Sequence, residues 1–159
     1  PGGALRVLHP QQFKGMDFEA QAKAIKAATE RYNVVGMTVD TTGIGEGVCQ
    51  LVKKLYPTVH GLNYSLERKT MLVLKALQVI NAGRLEFEAG NKELAASFMA
   101  IKRELTASGR NVTYSAGRSE ETGHSDLAWA TMNALSHEPL ETGTDLATPQ
   151  GQSFLVISD

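Results

Sequence analysis

Short apolar runs and longer amphipathic runs take turns along this chain, and that alternation constrains its fold more than any single residue does. ALRVLH (4–9), VVGMTV (34–39), VHGLNY (59–64), RLEFE (84–88) and NVTYSA (111–116) read as strands. VVGMTV is short and β-branched, the pattern of a strand covered on both faces, whereas RLEFE and NVTYSA alternate as half-buried strands do. Between the strands, DFEAQAKAIKAATERY (17–32), IGEGVCQLVKKLY (44–56), LERKTMLVLKALQVINA (66–82), KELAASFMAIKRELTAS (92–108) and the stretch from Gly123 to Leu135 read as helices. Asp17, Ser65 and Asn91 stand where N-caps belong, and Pro57, Gly83 and Gly109 where helices stop. The expected inward faces are Phe18, Ala22, Ile25 and Tyr32 in the first helix, then Leu66, Val73, Leu77 and Ile80 in the third. Leu94, Phe98, Ile101 and Leu105 are the inward set of the fourth. Strands alternating with helices imply an α/β protein, a sheet with helices covering it.

At 159 residues the chain is the size of one domain with a sizeable core. With 42% hydrophobic and 21% charged residues it belongs to the globular class. A formal net charge of −1 excludes a strongly basic domain, so any contact with nucleic acid needs a local basic patch. Cys49 is the single cysteine, which rules out an intrachain disulfide and points to a reducing compartment. No apolar run is long enough to span a membrane, and PGGALRVLHPQ lacks the regions of a signal peptide. The abrupt opening at Pro1 suggests a piece of a longer protein. No repeat is visible and no boundary falls before about residue 138. From Ser136 on the sequence is polar and punctuated by proline and glycine, with a late apolar run, Phe154–Ile157.

Two aspartates stand out by position. Asp40 ends VVGMTV and precedes TTGIGEG, and in open α/β sheets sites gather at the carboxyl ends of strands. Gly43, Gly45 and Gly47 would let backbone approach a ligand closely. The alternative is that Asp40 caps the turn and the glycines shape it. Asp126 lies in the first turn of its helix, where the partial positive charge of the helix start stabilises an anion. It is equally placed to share a divalent cation with Asp40, because carboxylate oxygens suit Mg²⁺ or Mn²⁺. His124 could orient Asp126, contact phosphate or shuttle protons, or serve as an ordinary surface residue. Lys69 and Arg118 are the basic residues placed to touch a DNA backbone. There is no GxSxG elbow, no Cys/His nucleophile, no zinc spacing, no dinucleotide fingerprint and no GxxxxGK[ST] phosphate loop.

FKGMDFEAQAKAI, YNVVGMTVDTTGIGEGVCQLV, the long stretch from RLEFEAGNKEL through GHSDLAWATMNAL, and the closing EPL together resemble one family, from about Leu5 to Leu140. It is the large terminase subunit, or terminase ATPase subunit, of tailed bacteriophages and prophages, and the likeness is to its C-terminal nuclease domain. The resemblance implies a ribonuclease H-like mixed sheet flanked by helices, with residues 1–140 the nuclease domain and 141–159 a tail. It implies a metal-dependent endonuclease that cuts concatemeric viral DNA, with two Mg²⁺ or Mn²⁺ ions held by three acids. Asp40 matches the acid ending the central strand and Asp126 the acid near the C-terminal helix. The first family acid lies on an opening strand that this sequence lacks, which would leave the piece without one ligand and inactive by itself. Implied partners are double-stranded DNA, an upstream ATPase domain, the small terminase subunit and the portal protein, in the cytoplasm of a bacterial host and away from membranes. The rival readings are another ribonuclease H-like enzyme, a resolvase or transposase, or a non-enzymatic docking module for the portal or small subunit. In the last case Phe154–Ile157 would be an apolar anchor instead of an edge strand or a loose end.

Overall fold

The computed structural model describes residues 3–43, 45–116 and 125–137, and the backbone of a strand at 153–157. Its elements are β1 (Leu5–Arg6), α1 (Phe18–Arg31), β2 (Val34–Asp40), α2 (Gly45–Leu55), β3 (His60–Leu62) and α3 (Leu66–Asn81). Then come β4 (Leu85–Glu86), α4 (Lys92–Met99), β5 (Ile101–Leu105), β6 (Val112–Ala116), α5 (Asp126–Leu135) and β7 (Ser153–Ile157). The chain divides into two compact units, one of Gln12–Tyr64 with Ala147–Asp159, the other of Pro1–Gln11 with Ser65–Leu146.

The first of these is built on a parallel sheet of order β3-β2-β7. Thr38 pairs with His60 and Asp40 with Leu62 on one side of β2, and Met37 pairs with Leu155 and Val39 with Ile157 on the other. Met37, Thr38, Val39 and Asp40 are buried in succession, the pattern of a central strand covered on both faces. Met37 and Val39 pack with Ala22 and Ile25 of α1 and with Val48, Cys49 and Val52 of α2. Asp17 starts α1 as the sequence predicts, its carboxylate accepting from the Ala20 amide at 2.7 Å. The run Phe154–Ile157 lies in β7, an edge strand beside β2.

The second unit is mostly helical. Helix α5 is buried on nearly every side, through Leu127, Ala128, Trp129, Thr131, Met132, Asn133 and Leu135, and packs on α3 and α4. Strands β5 and β6 form an antiparallel hairpin, with Ile101 opposite Ala116 and Leu105 opposite Val112. β1 and β4 make a two-residue parallel pair, tied by an exposed Arg6–Glu86 ion pair at 2.8 Å, so the strands expected over 4–9 and 84–88 shrink to their centres.

Several expectations fail here, the first at Phe18, which is 38% exposed instead of inward. The helix expected over 92–108 stops at Met99, and its second half is β5. Lys, Arg and Glu favour helix only weakly, and pairing with β6 outweighs that preference. Gly109, with φ at +66°, therefore turns a hairpin and ends no helix, and Leu105 is 67% exposed instead of inward. In α3 the buried side chains are Leu72, Val73, Ala76 and Val79, whereas Leu66, Leu77 and Ile80 are exposed. The helix is apolar almost all round, so spacing alone could not select the face. Among the described residues no helix is long and apolar enough to cross a membrane.

Candidate functional site

Asp40 closes β2 at its carboxyl end and is 6% exposed. Its Oδ1 accepts from the Thr42 amide at 2.8 Å, the short local bond of an aspartate turn. Thr41 donates twice to the Leu62 carbonyl of β3, from its amide at 2.8 Å and from its hydroxyl at 3.0 Å. The Thr42 hydroxyl accepts from the Tyr64 amide at 3.1 Å. Gly43 then takes a positive φ of +74°, which a side chain would strain. The turn that follows Asp40 is thus pinned at three places to the neighbouring strand and its exit, and the carboxylate is oriented before any ligand arrives. The capping reading of Asp40 and the ligand reading are compatible, because a single carboxylate oxygen makes the turn.

The glycines of TTGIGEG divide in purpose. Gly43 serves the turn, but Gly47 sits inside α2, where a Cβ would meet the Phe18 ring at 2.8 Å. Its lack of a side chain lets α1 approach α2, and the ligand-approach reading does not apply to it. Cys49 is fully buried, and burial pushes its thiol pKa up, with Glu46 adding to the rise and Lys53 opposing it. A thiol held protonated in a core is no nucleophile.

In the other unit, Asp126 occupies the first position of α5 and is partly exposed. The residue before it, Ser125, adopts a left-handed conformation with φ at 59° and ψ at 31°, and its side chain makes no cap. Its carbonyl receives the amides of Ala128 and Trp129, both at 3.1 Å. The capping oxygen comes instead from Ser97 of α4, which accepts from the Ala128 amide at 2.9 Å. The far end of α5 is tied too, by the Lys75 ammonium donating to the Ser136 carbonyl at 3.0 Å. Lys69, also on α3, lies over the ring of Trp129 with its Nζ 5.8 Å from the centroid. Trp129 is one turn beyond Asp126, so the fold brings this predicted cation to the helix that carries the acid. Sequence reading missed Ser97 and Lys75; neither sits at a chain punctuation that would mark it. His124 and Arg118 lie outside the described residues.

Carboxylate oxygens are the donors that hard divalent cations take. Asp40 and Asp126 both fit such an ion by chemistry, and both stand at element ends. Among the described residues no three His, Cys, Asp or Glu side chains gather closely enough to hold a metal ion.

The chain belongs to the family of the Terminase RNaseH-like domain, whose pattern matches residues 1–138. Within that family, it is 49% identical over 154 residues to "Terminase, ATPase subunit" of Escherichia phage P2, covering 97% of this chain and 26% of that protein. It is 34% identical over 141 residues to "Probable terminase, ATPase subunit" of Haemophilus phage HP1, covering 88% of this chain and 23% of that protein. The chain therefore spans about a quarter of the length of these relatives. Its fold is similar to that of the large terminase nuclease from thermophilic phage G20c. With cobalt bound, that structure matches at a TM-score of 0.64 and 21% identity, over 79% of this chain and 64% of the other. With magnesium bound it matches at 0.64 and 22%, over 78% and 64%. These likenesses establish the ribonuclease H-like fold.

Proposed function

We propose that this chain is the metal-dependent nuclease domain of a phage DNA-packaging terminase, hydrolysing phosphodiester bonds in double-stranded DNA to begin and end genome packaging. The observation that carries the reading is Asp40: a buried carboxylate, fixed by its own turn at the end of the middle strand, within a family of terminase ribonuclease H-like domains. The magnesium- and cobalt-bound terminase nuclease of the same fold supports a divalent cation as cofactor.

Asp40 and Asp126 supply carboxylate oxygens to the metal in this reading. When bound, two Mg²⁺ or Mn²⁺ ions supply an activated water for in-line attack and positive charge for the departing 3′ oxygen. The Thr42 amide holds one oxygen of the Asp40 carboxylate while Thr41 pins the turn to β3, which lowers the ordering cost of capturing an ion. The start of α5 places Asp126 where the helix dipole favours a negative charge. Lys69 contacts a DNA phosphate from its seat on Trp129, a contact that positions the duplex without reading sequence. His124 and Arg118 remain candidates to assist catalysis and to touch DNA. The ATPase domain of the same protein, the small terminase subunit and the portal are the partners this function requires, in the cytoplasm of the host cell.

The test is plasmid cleavage by the full-length protein with Mg²⁺ or Mn²⁺. Asp40→Asn and Asp126→Asn should each lower the rate at least ~100-fold, beyond the 10–100-fold typical of residues that only support ligands. Lys69→Gln should cut more slowly and lower the salt slope of DNA binding by about one. Wild-type rates from both aspartate variants would overturn the reading, and an unchanged salt slope would remove Lys69 from it.

A further inference from the structure

We propose that Ser97 is a positioning residue for Asp126: it supplies from α4 the cap that α5 cannot make for itself, and so sets the direction of the carboxylate toward a divalent cation. This rests on the assignment of Asp126 as a metal ligand.

The amide of Ala128 is the third of its helix, the one an N-cap side chain ordinarily takes. Where α1, α3 and α4 make such a cap, the cap residue has a negative φ, −70° at Asp17, −71° at Ser65 and −82° at Asn91. Ser125 is left-handed instead, and its hydroxyl, fully buried, finds no hydrogen-bond partner among the described residues. A non-glycine residue in that conformation is strained and persists only where its surroundings impose it. Ser97 holds the turn that follows Ser125. It is 2% exposed, it lies 31 positions away in sequence, and its oxygen takes the Ala128 amide at 2.9 Å. The Ala128 amide is shared between the Ser125 carbonyl at 3.1 Å and the Ser97 oxygen at 2.9 Å, and the bond to Ser97 fixes the turn from which Asp126 projects. A cap from a packed neighbour also ties the first turn of α5 to α4, so the acid cannot swing as the helix end frays.

Mn²⁺ binding to the nucleotide-free full-length protein, followed by calorimetry and by the Mn²⁺ paramagnetic resonance signal, tests this. Ser97→Ala should weaken binding about 10-fold, the effect of losing a group that orients a ligand. Lys75→Met removes the tie at the other end of the same helix; it should lower the melting temperature comparably and leave Mn²⁺ affinity within about twofold of wild type. If Ser97→Ala does not fold, Ser97→Cys keeps the bulk but substitutes a weak sulfur acceptor, and the same loss is expected. Unchanged affinity in the Ser97 variants, or equal losses in the Ser97 and Lys75 variants, overturns the proposal while Asp126→Asn still abolishes binding. Wild-type affinity in Asp126→Asn overturns the ligand assignment and this inference together.

Discussion

Ser125 and Asp40 are neighbours of function in opposite conditions. Asp40 is relaxed, with a turn bond of its own, whereas Ser125 carries both a left-handed backbone and a buried hydroxyl without a hydrogen-bond partner among the described residues. Strain of this sort costs about 1–3 kcal/mol, and glycine avoids it at a cost of about 0.4–1 kcal/mol in unfolded-state freedom. Ser125→Gly should therefore stabilise the protein by about 1 kcal/mol, raising the melting temperature by roughly 2–4 °C. A thermal melt showing a fall would mean that the hydroxyl has a use in the folded state. The two acids were legible as residues because each ends or begins an element, and element ends leave marks in sequence. Ser97 was not legible, because a serine in the middle of a helix looks like any small residue.

At the scale of elements, the sequence predicts best where local chemistry suffices. The caps at Asp17, Ser65 and Asn91 form as expected, each accepting from the amide three residues on. It predicts worst where a distant partner decides. IKREL has no local preference strong enough to resist β6, and a helix as apolar as α3 offers several faces to a core. β3 is held close to the turn after Asp40: a Cβ on Gly61 would stand 2.8 Å from Thr41 Cγ2 and 3.4 Å from Cys49 Sγ. Thr41 is doubly bonded to Leu62 and Cys49 is packed in the core, so neither can give way cheaply. Gly61→Ala should cost about 1–3 kcal/mol and, in the full-length protein, lower Mg²⁺-dependent cleavage by disturbing the Asp40 turn. Urea unfolding checks the first; a variant as stable as wild type would show that the turn has slack.

At the scale of the whole molecule, the chain leaves one compact unit at Tyr64 and returns to it with β7. That return gives β2 its second neighbour. Removal of residues 153–157 would leave the β2 amides and carbonyls on that edge unpaired, at about 1 kcal/mol for each bond lost. It should lower the melting temperature and promote self-association through the open edge, since unpaired strands recruit other strands. Light scattering behind size exclusion reads this directly; a monomer of unchanged stability would show that β7 adds nothing to the sheet.

By itself the sequence determined much of the alternation of strands and helices, and the caps at Asp17, Ser65 and Asn91. It also placed the two acids at element ends and carried the family pattern joining DTTGIG to GHSDLAWA. All but the last depend on residues a few positions apart, whose interactions are nearly the same in any surrounding. Only the tertiary structure decided which face of α3 is buried, that 101–105 is a strand, that β7 lies beside β2, and that Ser97 caps α5. In each case a polar or apolar group needs a partner, and the local sequence shows the need but not the supplier. The supplier comes from a distant part of the chain, such as 31 residues away for Ala128 and Ser97, and packing alone brings it there.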